Sequence, residues 1–210
     1  MINRHKVFIS YHHANDQYYK ELLCNMKFFN IENYKYQSIF DDYSVGNGDI
    51  DDTYLNDEQI RRIVRDEYIK NATVLVLLCG TQTKCRKHID WEIHAAMYDS
   101  NINPKMGIIV INLPTISQWS YASEDSEKNL ICPLSSSWTK FSSRSEIEER
   151  YKYLPSRIID NLEKNIPITI VDWHEVSNNP NKLMTLIDNA YNRKDNISYD
   201  HSAPLRRHNS

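Results

Sequence analysis
The stretch ATVLVLLCGTQTKCRKHIDWEIHAAMYD, residues 72–99, decides the fold. Val74–Leu78 is apolar without interruption, which marks a strand buried on both faces of a parallel sheet. A polar loop, Gly80–Lys87, follows, and a helix then carries Asp90, Trp91 and Glu92 in its first turns. A carboxylate just beyond the C-terminal end of a central parallel strand stands where open α/β sheets place their ligand chemistry.

The flanking sequence repeats the strand–helix alternation in units of roughly 30 residues. A short apolar strand is expected at Lys6–Ser10. A helix follows over Asp16–Phe29, with Tyr19, Leu22, Leu23, Met26 and Phe29 on one stripe. Tyr36–Phe40 reads as the second strand, and the polar loop Asp41–Thr53 comes after it. A helix over Asp57–Lys70, capped by Asn56 or Asp57, leads into the central strand Thr73–Cys79. The helix Lys87–Asp99, strands at Gly107–Leu113 and Ile168–Asp172, and a helix over Pro180–Arg193 complete the pattern. The expectation is an α/β protein: a five-stranded, mainly parallel sheet flanked by helices. Residues 114–167 form an insertion between the fourth and fifth strands, Ser-rich and turn-like over Ser117–Ser143 and helical over Ser145–Lys164. One domain over 1–194 is expected. The nearly apolar-free residues 195–210 read as a disordered tail.

Composition narrows the partners. With 25 basic and 28 acidic residues the net charge is −3, and the basic residues are scattered, which argues against nucleic acid or an anionic membrane. Arg61, Arg62 and Arg65 share a helix with Asp57, Glu58, Asp66 and Glu67, as a salt-bridged solvated face would. The four cysteines (Cys24, Cys79, Cys85, Cys132) have no metal-ligand spacing. Arg4, His5 and Lys6 precede only a short apolar run, so no secretion leader is expected, and no run approaches the ~20 residues of a membrane span. A soluble cytoplasmic protein with reduced thiols fits. GxGxxG, P-loop and GxSxG motifs are missing, so dinucleotide redox, NTPase and α/β-hydrolase chemistry have no support.

Four constellations remain. Glu92 has His88, Ala95 and Ala96 as its helical neighbours, leaving space above the carboxylate, while Ile89, Ile93 and Met97 face the sheet. A first-turn acid is also favoured by the helix dipole alone, by ~0.3–1 kcal/mol. Asp41-Asp42-Tyr43-Ser44 ends the second strand and could bind a divalent metal, hold ribose hydroxyls or cap a turn. Val45-Gly46-Asn47-Gly48 after it reads as a loop able to close over a ligand. Ser10-Tyr11-His12-His13 ends the first strand and suits nucleotide stacking and hydrogen bonding better than metal binding. Asp172-Trp173-His174-Glu175 is either a pocket edge or a structural strand cap. Gly80, opening the loop after the central strand, joins the candidate binding residues. No metal site is expected.

VFISYHHAND, the FDDYSV loop, VLVLLCGTQTKCRKHIDWEI and ITIVDWHEVSNNPNKLMTLIDNAY together resemble the bacterial TIR-like family, and within it the TIR component of the Thoeris antiphage defence system. The resemblance implies a flavodoxin-like TIR fold and cleavage of NAD+, as substrate and with no cofactor, at the nicotinamide–ribose bond. ADP-ribose would then be cyclised into a second messenger for a separate effector. It implies Glu92 as the catalytic carboxylate, although the family pattern's leading Trp is His88 here. Asp42, Tyr43 and Ser44 match the family's DYS-type loop, and Ser10 and Tyr11 the segment beside the nucleotide. His12 and Trp91 are further candidates for that pocket. Partners implied are other TIR protomers, a phage-derived trigger and the effector. The competing reading is a non-enzymatic TIR scaffold that needs no Glu92. A phospho-receiver would need an acidic cluster after the first strand, where Ser10-Tyr11-His12 stands.

Overall fold
Uninterrupted apolar runs can be buried only where helices cover both faces of a sheet, and every residue of Val74–Cys79 and Gly107–Asn112 is buried. The computed structural model describes residues 4–46, 56–101, 103–131 and 141–209. In chain order its first elements are β1 (Lys6–Ser10), α1 (His13–Cys24), β2 (Lys27–Asn30), β3 (Lys35–Ser38) and β4 (Asp41–Asp42). Then come α2 (Asp57–Ile63), β5 (Val74–Cys79), α3 (Lys87–Met97), β6 (Gly107–Asn112) and α4 (Asp125–Ile131). The last are α5 (Arg144–Arg150), α6 (Ser156–Glu163), β7 (Thr169–Asp172), α7 (Trp173–Ser177) and α8 (Pro180–Arg193).

One sheet of five parallel strands runs β4-β1-β5-β6-β7. Alternate residues serve opposite layers. Leu75, Leu77, Ile108 and Val110 pack with Ile89, Ile93 and Met97 of α3 and with Ile158 and Leu162 of α6. Val74, Val76, Ile109 and Ile111 pack with Leu23 of α1 and with Leu183, Leu186 and Ile187 of α8. Gly107 lets α8 approach, since a Cβ there would lie 2.2 Å from the Ala190 carbonyl oxygen. The chain leaves β1 toward the β4 edge and returns to β5 on the other side. The strand order therefore reverses between β1 and β5, where open α/β sheets bind ligands.

The differences from expectation are local. The first helix stops at Cys24, and Lys27–Asn30 pairs antiparallel with Lys35–Ser38 as a separate hairpin. Burial there alternates, Phe28 and Asn30 inward and Phe29 outward, which is a strand period and not a helical one. The second strand of the sheet is accordingly Asp41–Asp42 rather than Tyr36–Phe40. Asn56 and Gln59 form a reciprocal cap on α2. That helix continues as a π-helical turn, Val64–Tyr68, and a 3-10 turn, Ile69–Asn71. The charged helix of the insertion breaks into α5 and α6, because Pro155 cannot continue a helix entered from Tyr151. Tyr121 exchanges two backbone hydrogen bonds with Ile170, of 2.7 and 2.8 Å, covering the β7 edge.

The disordered tail is corrected. Ile197 and Tyr199 are buried in the core, and the Tyr199 hydroxyl donates to the Met106 carbonyl at 3.0 Å. Two apolar anchors suffice to hold a segment otherwise fixed by hydrogen bonds. Among the described residues no helix is long and apolar enough to cross a membrane.

Candidate active site
Beyond the C-terminal ends of β1 and β4 opens a cavity of about 490 Å³, within the ~300–1,000 Å³ of small-molecule sites. Tyr11 to Ala14 wall it from the β1–α1 turn, Val45 and Gly46 from beyond β4, and Ile60, Arg61 and Val64 from α2 and the turn after it. Arg86, His88, Trp91, Glu92 and Ala95 close it from α3 and the residue before it, and Asn209 reaches in from the far end of the described chain.

Glu92 sits where the α3 periodicity puts it. Ile89, Ile93 and Met97 are buried against the sheet, which turns the next stripe, with Glu92 and Ala95, toward the cavity. The Ser10 hydroxyl donates to Glu92 Oε2 at 2.6 Å. Burial raises the carboxyl to about 7, and the Ser10 hydrogen bond opposes that rise. The Tyr11 ring stacks on His13, its hydroxyl donates to Gln17 Oε1 at 2.7 Å, and burial pushes it up to about 12.

The other wall is cationic. Arg86 Nη2 lies against His12 Nε2, while His12 Nδ1 accepts from the Asn15 amide at 3.2 Å and caps α1. Burial, then the neighbouring guanidinium, lowers the His12 pKa and keeps the ring neutral as an acceptor. Six other arginines (Arg4, Arg62, Arg65, Arg144, Arg157, Arg193) pair with carboxylates. Among the described residues neither Arg61 nor Arg86 does. No guanidinium figures among the causes of the Glu92 shift. The cavity thus has an acid end and a separate cationic end, an arrangement for a ligand that joins a sugar or cation to an anion.

The family model described as Thoeris protein ThsB, TIR-like domain, matches residues 8–118, just over half of the chain. The chain belongs to this family. No curated protein and no solved structure matches it. The sheet is therefore a flavodoxin-like TIR fold in a Thoeris antiphage defence family. The matched residues supply every lining residue of the Thoeris TIR cavity except Asn209.

The nominated residues divide into two groups. Tyr11, His12, Trp91 and Glu92 line the cavity of this TIR-like domain, and Ser10 reaches it through Glu92. Asp42, Tyr43, Ser44 and Gly80 are not among its lining residues. Asp42 accepts from Lys20 Nζ at 2.6 Å and from the Ser44 amide at 2.9 Å, and the Ser44 hydroxyl accepts from the Ile9 amide at 2.8 Å. That is the turn-capping use of the acid, and Val45 and Gly46 carry the loop to the cavity instead. Tyr43 lies under Lys6 Nζ. Gly80 packs on Asp16, whose carboxyl oxygens would lie 2.9 Å from a Cβ there. Asn47 and Gly48, part of the closing loop suggested by sequence, lie outside the described residues. Trp173 is buried edge-on to Tyr19, so the strand-5 cap is structural. Among the described residues no group of three or more metal-ligand side chains gathers. Arg61, expected on a salt-bridged solvated face, lines the cavity instead and pairs with no carboxylate among the described residues; Arg86 and Asn209 were not nominated. Arg61 and Arg86 carried only a charge signal, and Asn209 carried none.

Proposed function
We propose that this TIR-like protein cleaves NAD+ at the nicotinamide–ribose bond and cyclises the ADP-ribose into a signalling nucleotide for a separate effector. The observation that carries the reading is Glu92, a carboxyl facing the cavity with, among the described residues, a single hydroxyl partner, Ser10. Heterolysis of the C1′–N bond sends the electron pair to nicotinamide, which leaves neutral and needs no general acid. The ribosyl group becomes oxocarbenium-like, and the Glu92 carboxylate stabilises it electrostatically. Water addition then gives ADP-ribose and a proton, whereas attack by a nucleophile within the same molecule gives the cyclic product and a proton. A cavity that excludes water favours the second. Arg61 and Arg86 suit the two negative charges of the diphosphate, and the Tyr11 and Trp91 rings suit stacking.

A phage-derived trigger and assembly with other TIR protomers belong to the same proposal, as does a cytoplasmic setting. The test incubates protein and NAD+, with lysate of phage-infected cells as the source of trigger, and measures nicotinamide release and product masses. Release that Glu92→Gln abolishes supports the reading. Equal release by wild type and variant overturns it.

A further inference from the structure
Arg86, at the N-cap of α3, makes no side-chain cap, so the first amides of that helix need partners from elsewhere. They come from the far end of the described chain. Asn209 Oδ1 accepts from the Lys87 amide at 2.9 Å. The Arg206 amide donates to Asp90 Oδ2 at 2.9 Å, and the Arg206 carbonyl accepts from Trp91 Nε1 at 2.8 Å. The same segment is pinned beneath. Buried Arg157 donates to Asp90 through Nε and Nη2 at 2.9 and 3.1 Å, and to the Ala203 and Pro204 carbonyls at 3.1 and 3.3 Å. Residues 203–209 therefore clasp α3 at positions 87, 90 and 91, immediately before Glu92, and Asn209 is itself a wall of the cavity.

From these contacts we infer that residues 203–209 are a positioning strap of the active site, setting the first turn of α3 and excluding water beside Glu92. The strap lies outside the family match, which ends at residue 118. The inference rests on the reading of the cavity as an NAD+ site for its consequence, the ratio of cyclised to hydrolysed product, but not for its geometry.

The test uses full-length chains. Asn209→Ala removes the cap, and Arg206→Pro removes the amide donated to Asp90 while keeping the carbonyl. Arg206→Ala keeps the amide. Expected in the first two are amide exchange about fivefold faster at residues 87–92 and a share of linear ADP-ribose about threefold higher. Arg206→Ala should keep wild-type exchange at residues 87–92. Faster exchange with an unchanged product ratio would reduce the strap to a structural contact and overturn the inference, as would no change in either. Should wild type release no nicotinamide at all, the NAD+ reading fails by itself. Titration of the Glu92 carboxyl by NMR then decides: a fall toward the ordinary carboxylate range in Asn209→Ala and Arg206→Pro supports the strap, and an unmoved titration overturns it.

Discussion
Two glutamates, one fully buried and one half-buried beside a cavity, face different environments. Glu127, at the α4 side of the sheet, is completely buried and has four partners: Arg193 at 2.6 Å, Asn189 at 3.2 Å, Ser123 at 3.1 Å and the Thr169 hydroxyl. Among the described residues Glu92 has one, Ser10, and a cavity. Desolvating a carboxylate costs free energy unless hydrogen bonds and charge return it. At Glu127 the fold supplies that compensation, so the acid holds α4, β7 and α8 together. At Glu92 it does not, and the carboxyl stands ready to interact with something that enters. An under-satisfied acid beside space is the mark of a working group; a fully satisfied one is architecture.

Exchanging each acid for its amide should separate the two roles most sharply. Glu92→Gln is expected to lower nicotinamide release by at least ~10²–10³-fold, the usual loss when one electrostatic stabiliser is removed. Glu127→Gln leaves Arg193 without its counter-charge and should cost ~3–5 kcal/mol of stability. Turnover of its folded fraction should be near wild type. Rate assays paired with denaturant melts check both, and an active Glu92→Gln protein would erase the distinction.

The pH dependence sharpens it next. The carboxylate is the active form, so activity should climb about tenfold per pH unit until the group ionises near pH 7, then level off. Stability runs the other way. The folded pKa lies above the ordinary 4.5, so the stabilising contribution of this group is complete below about pH 4.5 and is lost as pH rises through about 7. The loss amounts to about 3 kcal/mol at pH 8. Glu92→Gln should therefore be more stable than wild type at pH 8 and no more stable at pH 4. Asp16, raised to about 6 by burial with one oxygen unpartnered, adds to the same trend.

The opposite end of the cavity gives a smaller effect of a different kind. Arg61→Gln and Arg86→Gln should each raise KM for NAD+ about tenfold with kcat little changed, because a charge-assisted contact to a diphosphate is made equally in ground and transition states. A fall in kcat instead would place these guanidiniums at the reacting bond.

What the sequence made legible follows the same division. Runs such as Val74–Cys79 and the spacing of Ile89, Ile93 and Met97 report burial directly, and they fixed the sheet, α3 and the cavity-facing side of Glu92. The β2–β3 hairpin was hidden because Leu22, Met26 and Phe29 also fit a helical spacing, although Leu22 and Phe29 are exposed. Pro155 marks the break between α5 and α6, which the reading of Ser145–Lys164 as one helix passed over. The strap at residues 203–209 was illegible, since apart from the Asn209 side chain it is held by its own backbone amides and carbonyls, and such bonds leave no trace in residue type. Asp42 misled for a related reason: an acid after a strand looks the same whether it caps a turn or faces a ligand.

The finest test concerns the single partner of Glu92. The Ser10 hydroxyl, at the end of β1, donates to Oε2 and so favours the ionised form. Ser10→Ala removes that donor without touching the cavity wall. The carboxyl should then titrate about one unit higher than in wild type. The rising limb of the activity profile should move with it, so that the variant is severalfold slower at pH 7 and equal to wild type at pH 9.5. Equal activity at high pH is the informative half of the result: it separates a residue that tunes the acid from one that contacts substrate. A deficit that persists at pH 9.5 would assign Ser10 to the substrate itself, and Glu92 would then have no dedicated partner in the protein.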